Sequence, residues 1–394
     1  MDKTDLTENI KVAVVCAFNP NNAGMYSVDK AAKQVFADLG VNHRFFVAQA
    51  APFQVVRAIP RRGARLLAKA FGSFIHPSEV RFGEIKFSVL KSPDQFKPYS
   101  HVLFWGDFLN NPVYGIQDFA KKDVEFHHST DSTNGFKRWQ SLFVNGPLMA
   151  GKKVGAIGGN FQYREEAMPC QGDQILRDVA NGFDLVVPRD PYSLQTLRRR
   201  AKNPDKASMG PGMDCAFLLQ PKIAVDKNES FSFHFGRSRF TGVESFVDEL
   251  SQQTGLDSIE LKNWFNLRPE SASKDFLELE ANILSSRFVV TDTYHVSVNA
   301  LRLGVPVFCL GRAAETQKGT LGDFKKRALF EMFHCNNFYF AHESNVVEDV
   351  FMHRCVEEIS KRFQRQNMNS ESVHQKIAET ATSMHKSLRR FLGV

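Results

Sequence analysis

The sequence predicts an α/β protein of two doubly wound domains facing a central cleft. Three observations point there. Short apolar runs alternate with helical patterns through the first half of the chain. A Gly/Pro-rich and then polar stretch interrupts them at 208–240. A second alternating series follows. Strand, helix, strand in series is the pattern of a parallel sheet covered on both faces.

In order, "KVAVVCAF" (11–18) reads as a buried strand. "SVDKAAKQVFADLG" (27–40) reads as a helix with Ser27 at its N-cap and Gly40 just past its end. "NHRFFVAQA", "SHVLFWGDF" (100–108), "KKVGAIGGNF" (152–161) and "FDLVVPRD" (183–190) are further strands running into polar or Gly residues. Past the boundary come the strand "SFSFHFG" and helices near 242–255 and at 273–286. A strand at 287–292, a helix at 295–303 and a strand at 305–310 complete the series. These elements give an N-terminal domain over 1–222 and a C-terminal domain over 223–375. A last helix, 376–394, is expected to pack back on the first domain.

The chain has 394 residues, enough for two buried cores, with 43% hydrophobic and 24% charged residues. A net charge of +7 suggests an anionic partner without choosing one. The six cysteines form no CxxC and sit largely in apolar runs, which reads as reduced, buried thiols. His127, His128, His334 and Cys335 lack zinc-like spacing, so no metal is expected. The start "MDKTDLTENIKVAVVCAFNP" lacks a signal peptide's basic region, and no run approaches the ~20 apolar residues of a membrane span. A cytoplasmic protein is expected. The basic run 55–75 alternates Arg57, Arg61, Arg62, Arg65 and Lys69 with apolar residues, which allows peripheral contact with an anionic membrane. Nucleic acid is not expected, because the basic residues follow no recognisable module.

In open α/β sheets ligands bind beyond the carboxyl ends of the strands, so residues there are the candidates for chemistry. After the first strand, "NNAG" offers Asn22 and Gly24 beside a helix start, where backbone N–H groups hold anions or hydroxyls. In "PRDPYSLQTL", Arg189 suits a carboxylate or phosphate, while Asp190 and Pro191 read equally as a helix cap. Asp214, in "GMDCAFLL", either accepts from hydroxyls or ties its loop. His234, Arg237 and Arg239, in "FHFGRSRF", read as an anion clamp. His295 stands between a strand and a helix, a titratable ring placed for acid–base work. Lys325 follows at the start of a helix, with Lys318 and Lys326 close in sequence.

Taken in order, "NNAG", "PRDPYSLQTL", "GMDCAFLL", "VVTDTYHVSVNALRLGVPV" and "GDFKKRALF" resemble the polysaccharide pyruvyl transferase family, from about 19 to about 335. The resemblance implies a GT-B-like fold with an acceptor-side N-terminal domain and a donor-side C-terminal domain. It implies phosphoenolpyruvate as donor substrate, no further cofactor, and a glycan or lipid-linked oligosaccharide as acceptor. The product would be a pyruvate ketal, with phosphate released. His295 would then be the acid/base. Arg237, Arg239, Lys325, Arg189 and His234 would hold the donor, and Asn22, Gly24 and Asp214 the acceptor. Thr293 stands where the family carries Arg, so Arg237, Arg239 or Arg302 is expected to replace that cation. A nucleotide-sugar glycosyltransferase on the same fold is the alternative, with Glu315 as its one candidate for holding a ribose. A non-catalytic glycan-binding descendant is another.

Overall fold

The structure is a computed structural model, and it describes residues 10–17, 19, 21–50, 76–205, 208–314, 321–365 and 371–394. The basic run 55–75, Glu315 and Lys318 lie outside the described residues.

The first domain is built on seven strands: β1 (Lys11–Cys16), β2 (Asn42–Val47), β3 (Glu79–Phe82), β4 (Ile85–Val89), β5 (His101–Asp107), β6 (Lys153–Gly159) and β7 (Leu185–Val187). Their order is β3-β4-β2-β1-β5-β6-β7. All pairs are parallel except the β3–β4 hairpin at one edge. Val14 of β1 faces Phe45 of β2 on one side and Leu103 of β5 on the other. Five of the six β1 residues are buried, as expected of a strand with both faces covered. The second domain has β8 (Ser230–His234), β9 (Asp257–Glu260), β10 (Val289–Thr291), β11 (Val307–Arg312) and β12 (Tyr339–His342), all parallel in the order β12-β11-β10-β8-β9.

Strand order reverses between β1 and β5 in the first sheet and between β8 and β10 in the second. These switch points open crevices at the strands' carboxyl ends. The chain leaving these four strands carries Gly24, Asp107, Arg237 and His295.

The first helix differs from its sequence reading. It spans Ala23–Leu39 rather than starting at Ser27, and Asn22 is its cap, accepting from the Gly24 N–H at 2.9 Å. Ser27 is inside the helix and donates to the Gly24 carbonyl at 2.7 Å. The extra turn holds because the second domain supports it. Ala23 N–H donates to the Trp264 carbonyl at 2.8 Å, and the Leu267 N–H donates to the Asn21 carbonyl at 3.0 Å. The Tyr26 hydroxyl meets Ser273 Oγ at 2.8 Å. Gly40 closes the helix in the left-handed conformation, φ 65°, which glycine adopts at little cost.

The largest apolar cluster runs through both domains, from Val12 and Val14 to Phe276, Val289 and Phe330. The terminal helix Glu371–Leu392 joins it through Met384, Leu388 and Phe391. Phe391 packs edge-on against His101 of β5 at 5.1 Å, and the Met213 N–H meets Met384 Sδ at 3.3 Å. The helix thus packs back on the first domain. Five of the six cysteines are buried and Cys170 is exposed; none forms a disulfide. Among the described residues no helix is long and apolar enough to cross a membrane.

Candidate active site

The site is assembled from strand ends of both sheets. Its centre is Arg189, two residues past β7. Asp190 turns away from it: its carboxylate caps the helix Pro191–Arg198, accepting from the Ser193 N–H and hydroxyl at 2.7 and 2.9 Å. The capping reading of Asp190 and Pro191 is therefore what the local sequence dictates. Arg189 is freed from that role and points into the cleft, only 1% exposed.

Two rings lie against its guanidinium. Phe108, after β5, lies 5.0 Å from the guanidinium carbon, and Tyr294, after β10, lies 4.8 Å away. Each face contributes a cation–π attraction of about 1–2 kcal/mol when desolvated. The nearest carboxylates are Asp214 at 3.8 Å and Asp190 at 4.0 Å, beyond hydrogen-bond distance. Both terminal nitrogens are buried with no hydrogen-bond partner. Leaving a buried charged donor unpaired costs about 1–3 kcal/mol or more, so an orphan fork marks a place where an anion belongs.

Lys325 shares the same two rings, its ammonium 5.5 Å from Phe108 and 5.2 Å from Tyr294. Burial lowers its pKa to about 7, helped by repulsion from Arg189, Arg237 and Lys326 and opposed by Asp107. Its neighbour Lys326 is differently employed. That ammonium is buried against Asp323, donates to Ser238 Oγ at 2.6 Å, and fixes the loop after β8. Adjacent lysines thus separate into a structural cation and one facing the cleft.

His295 lies one position into the helix Tyr294–Arg302, with Nε2 3.4 Å from Asp214 Oδ2. Asp214 also caps the short 3-10 turn Cys215–Leu218, accepting from the Ala216 N–H at 3.0 Å, so it ties its loop as one of its two sequence readings expects. Burial pushes its carboxyl up, but His295, Arg189 and the Ala216 N–H outweigh that and keep it below the usual carboxylate value. Burial drives the Tyr294 hydroxyl well above its ordinary range, so that ring stays a neutral phenol.

Gly24 touches His295 so closely that a methyl group would not fit. A Cβ there would stand 2.2 Å from His295 Cβ and 2.9 Å from Nδ1. The first turn of the helix Ala23–Leu39 therefore lies against the Cβ–Nδ1 side of His295 while Asp214 lies against Nε2.

The remaining expected residues are placed otherwise. The β8 loop is an anion-binding turn of backbone N–H groups that the protein fills itself. Asp292, fully buried, accepts from Gly236, Arg237 and Ser238 at 2.9, 2.8 and 2.7 Å. The Arg237 side chain is left over Phe265 at 4.2 Å, at the cleft's exposed edge. Arg239 sits at φ 55° with its side chain exposed and its carbonyl accepting from Arg312 at 3.1 Å. His234 packs between Trp264 and Phe265; burial lowers its pKa to about 4, so it presents a neutral ring and not a charge. Arg302 is committed to Glu280 and to the Leu219 carbonyl, so it does not replace the cation missing at Thr293. Thr293 itself donates to Asp292 at 3.1 Å. Asn22 acts as a helix cap.

Asp107, Phe108 and Tyr294 were missed from sequence. The signal for Asp107 and Phe108 was available: "LFWGDF" leaves a strand, and Asp107 lies at that end with φ 53°.

Residues 150–313 match the family described as polysaccharide pyruvyl transferase. That span holds Arg189, Asp214, Arg237 and His295. No curated protein matches. Among solved structures, the pneumococcal O-GlcNAc transferase GtfA, in complex with UDP and GlcNAc, is similar over 98% of this chain and 99% of its own. Identity is 8% and the TM-score 0.52. A putative UDP-N-acetylglucosamine 2-epimerase from Listeria monocytogenes is similar over 97% and 96%, at 10% identity and a TM-score of 0.49. The fold is GT-B-like, as the sequence predicts.

Proposed function

We propose that the protein is a pyruvyl transferase that moves the enolpyruvyl group of phosphoenolpyruvate onto two hydroxyls of a glycan, forming a ketal. The observation that carries this is the orphan guanidinium fork of Arg189 beside the Lys325 ammonium, with the His295–Asp214 pair adjoining. Phosphoenolpyruvate presents a planar carboxylate and a phosphate, matching one bidentate fork and one point charge.

The bookkeeping of the reaction assigns the roles. Two sugar hydroxyls bond to C2 of the donor, and the bond from C2 to the phosphate oxygen breaks. One hydroxyl proton ends on C3, turning CH2 into CH3, and the other leaves with the phosphate. His295 takes the proton from the attacking hydroxyl through Nδ1, on the Gly24 side. Asp214 orients the ring and steadies its charge. Arg189 holds the carboxylate, and Lys325 neutralises the departing phosphate. Arg237 guides the donor in at the cleft edge. The acceptor is a glycan or lipid-linked oligosaccharide of a bacterial-type polysaccharide such as a capsule or exopolysaccharide. The reaction runs in the cytoplasm, with the membrane face as one place of access to a lipid-linked acceptor.

The test is phosphate release from phosphoenolpyruvate over a panel of galactosides, glucosides, mannosides and amino sugars, alongside thermal shifts with phosphoenolpyruvate and with UDP- and CMP-sugars. Acceptor-dependent phosphate and a phosphoenolpyruvate shift are expected. A shift specific to a nucleotide makes the protein a glycosyltransferase instead. Glycan binding without phosphate release makes it a non-catalytic descendant.

Two further outcomes follow from the geometry. Gly24→Ala forces His295 from its place, and a misplacement of that size costs about 10²-fold in turnover; an unaffected kcat removes His295 Nδ1 from the chemistry. Donor affinity should weaken as pH rises through about 7, where the Lys325 ammonium loses its proton. The loss approaches about tenfold per pH unit if the neutral amine contributes nothing. A Kd flat from pH 6 to 9 contradicts the role of Lys325.

A further inference from the structure

A cavity of about 390 Å³ is lined by residues of both domains close to this site. That size falls within the roughly 300–1,000 Å³ of small-ligand sites. Gln162, Tyr163, Tyr192, Thr196, Arg199 and Phe324 line it. Its wall adjoins the site's residues. Gln162 donates to Asp190 at 2.7 Å, next to Arg189, and Phe324 precedes Lys325.

Its chemistry is that of a sugar subsite. Tyr192 and Phe324, one from each domain, meet edge to face at 5.0 Å and offer apolar ring surface for a pyranose face. The Tyr192 hydroxyl donates to Glu331 at 2.5 Å, which fixes the ring across the domain boundary. Gln162 is only 4% exposed, and its side-chain carbonyl is buried with no hydrogen-bond partner. A buried acceptor without a donor, on a side chain in the wall of a polar cavity, is a group that a sugar hydroxyl can satisfy. Thr196 and Arg199 add hydroxyl and cationic donors at the rim. Two more arginines in its wall, Arg177 and Arg200, are each paired with Asp173 at 2.8 Å, so the cavity offers no orphan fork like that of the donor site and is not read as a second place for the anion.

We propose that this cavity is a second acceptor subsite, holding the sugar next to the one that receives the pyruvyl group, so that the enzyme selects oligosaccharides over single sugars. This rests on the reading of the acceptor as a glycan.

The experiment measures binding of each panel monosaccharide and of the matching di- and trisaccharides to the whole protein by calorimetry, without donor. It uses wild type, Tyr192→Ala and Thr196→Trp. Thr196 is half-buried on a helix, and its replacement by Trp fills the cavity while leaving the cleft untouched. Oligosaccharides should bind at least about tenfold tighter than their terminal sugars, the order of ~1.4 kcal/mol that one well-packed sugar contact supplies. Thr196→Trp should erase that advantage without changing monosaccharide affinity. An advantage that survives in both variants, or no oligosaccharide binding across the panel, overturns the subsite. Length-dependent binding with no phosphate release from phosphoenolpyruvate leaves the subsite standing and removes the donor reading instead.

Discussion

His295→Ala is expected to lower phosphate release from phosphoenolpyruvate, with acceptor present, by about 10²–10⁴-fold, the usual contribution of a positioned acid/base. The melting temperature should hardly move. The imidazole touches Asp214 at 3.4 Å and Gly24, but it carries no buried hydrogen-bond network of its own. Asp214 keeps its Ala216 cap when the ring is gone. The loss should fall on kcat, because donor binding belongs to Arg189 and Lys325. Asp214→Asn should reproduce part of the effect by releasing the ring. Wild-type turnover in His295→Ala sinks the assignment of the acid/base.

Lys325→Met should have opposite effects on function and on stability. Donor affinity should fall about ten- to hundredfold, the value of a hydrogen bond to a charged group. Stability of the unliganded protein should rise. Lys325 titrates at about 7 in the fold against an ordinary 10.5, so the folded state resists the charge. The unfolded chain binds the proton more tightly, and stability therefore rises with pH between about 7 and 10.5. Below about 7 the folded protein bears the whole cost of the charge. The gain from Met should thus be largest near pH 6 and fade towards pH 10. A gain that is constant with pH, or a loss of stability at pH 6, contradicts the arrangement. Stability given up at one lysine in return for an anion site is the behaviour expected of a functional position rather than a core one.

Several features were readable in the residues. The parallel strands announced themselves as apolar runs such as "KVAVVC", because a strand covered on both faces has no polar side to show. Gly40 and Asp190 declared a helix end and a helix start, since these residue types satisfy orphan backbone groups locally. The β3–β4 hairpin was missed, although "EVRF" and "IKFSV" flank Gly83, whose φ is 55°. Its apolar residues do alternate, but a short edge hairpin lies outside the strand–helix rhythm of the rest of the chain. The first helix was begun four residues late. Its opening turn is fixed by Trp264 and Ser273, more than two hundred residues away.

By itself the sequence determined the two-domain doubly wound fold and the strand ends from which chemistry is drawn. These depend on periodicity and on caps, which are local. It also named Arg189, Asp214, His295 and Lys325. Only the tertiary structure decided what surrounds each of these. Arg189 and Asp190 are neighbours in sequence, yet one is a buried orphan fork and the other a helix cap. Lys325 and Lys326 are neighbours too, yet Lys326 is locked on Asp323 while Lys325 shares Phe108 and Tyr294 with Arg189. Asp190 and Lys326 find their partners three residues away, but the burial and surroundings of Arg189 and Lys325 are set by what the other domain brings against them, Tyr294 in one case and Phe108 in the other. That contact is long-range, and residue order carries no record of it.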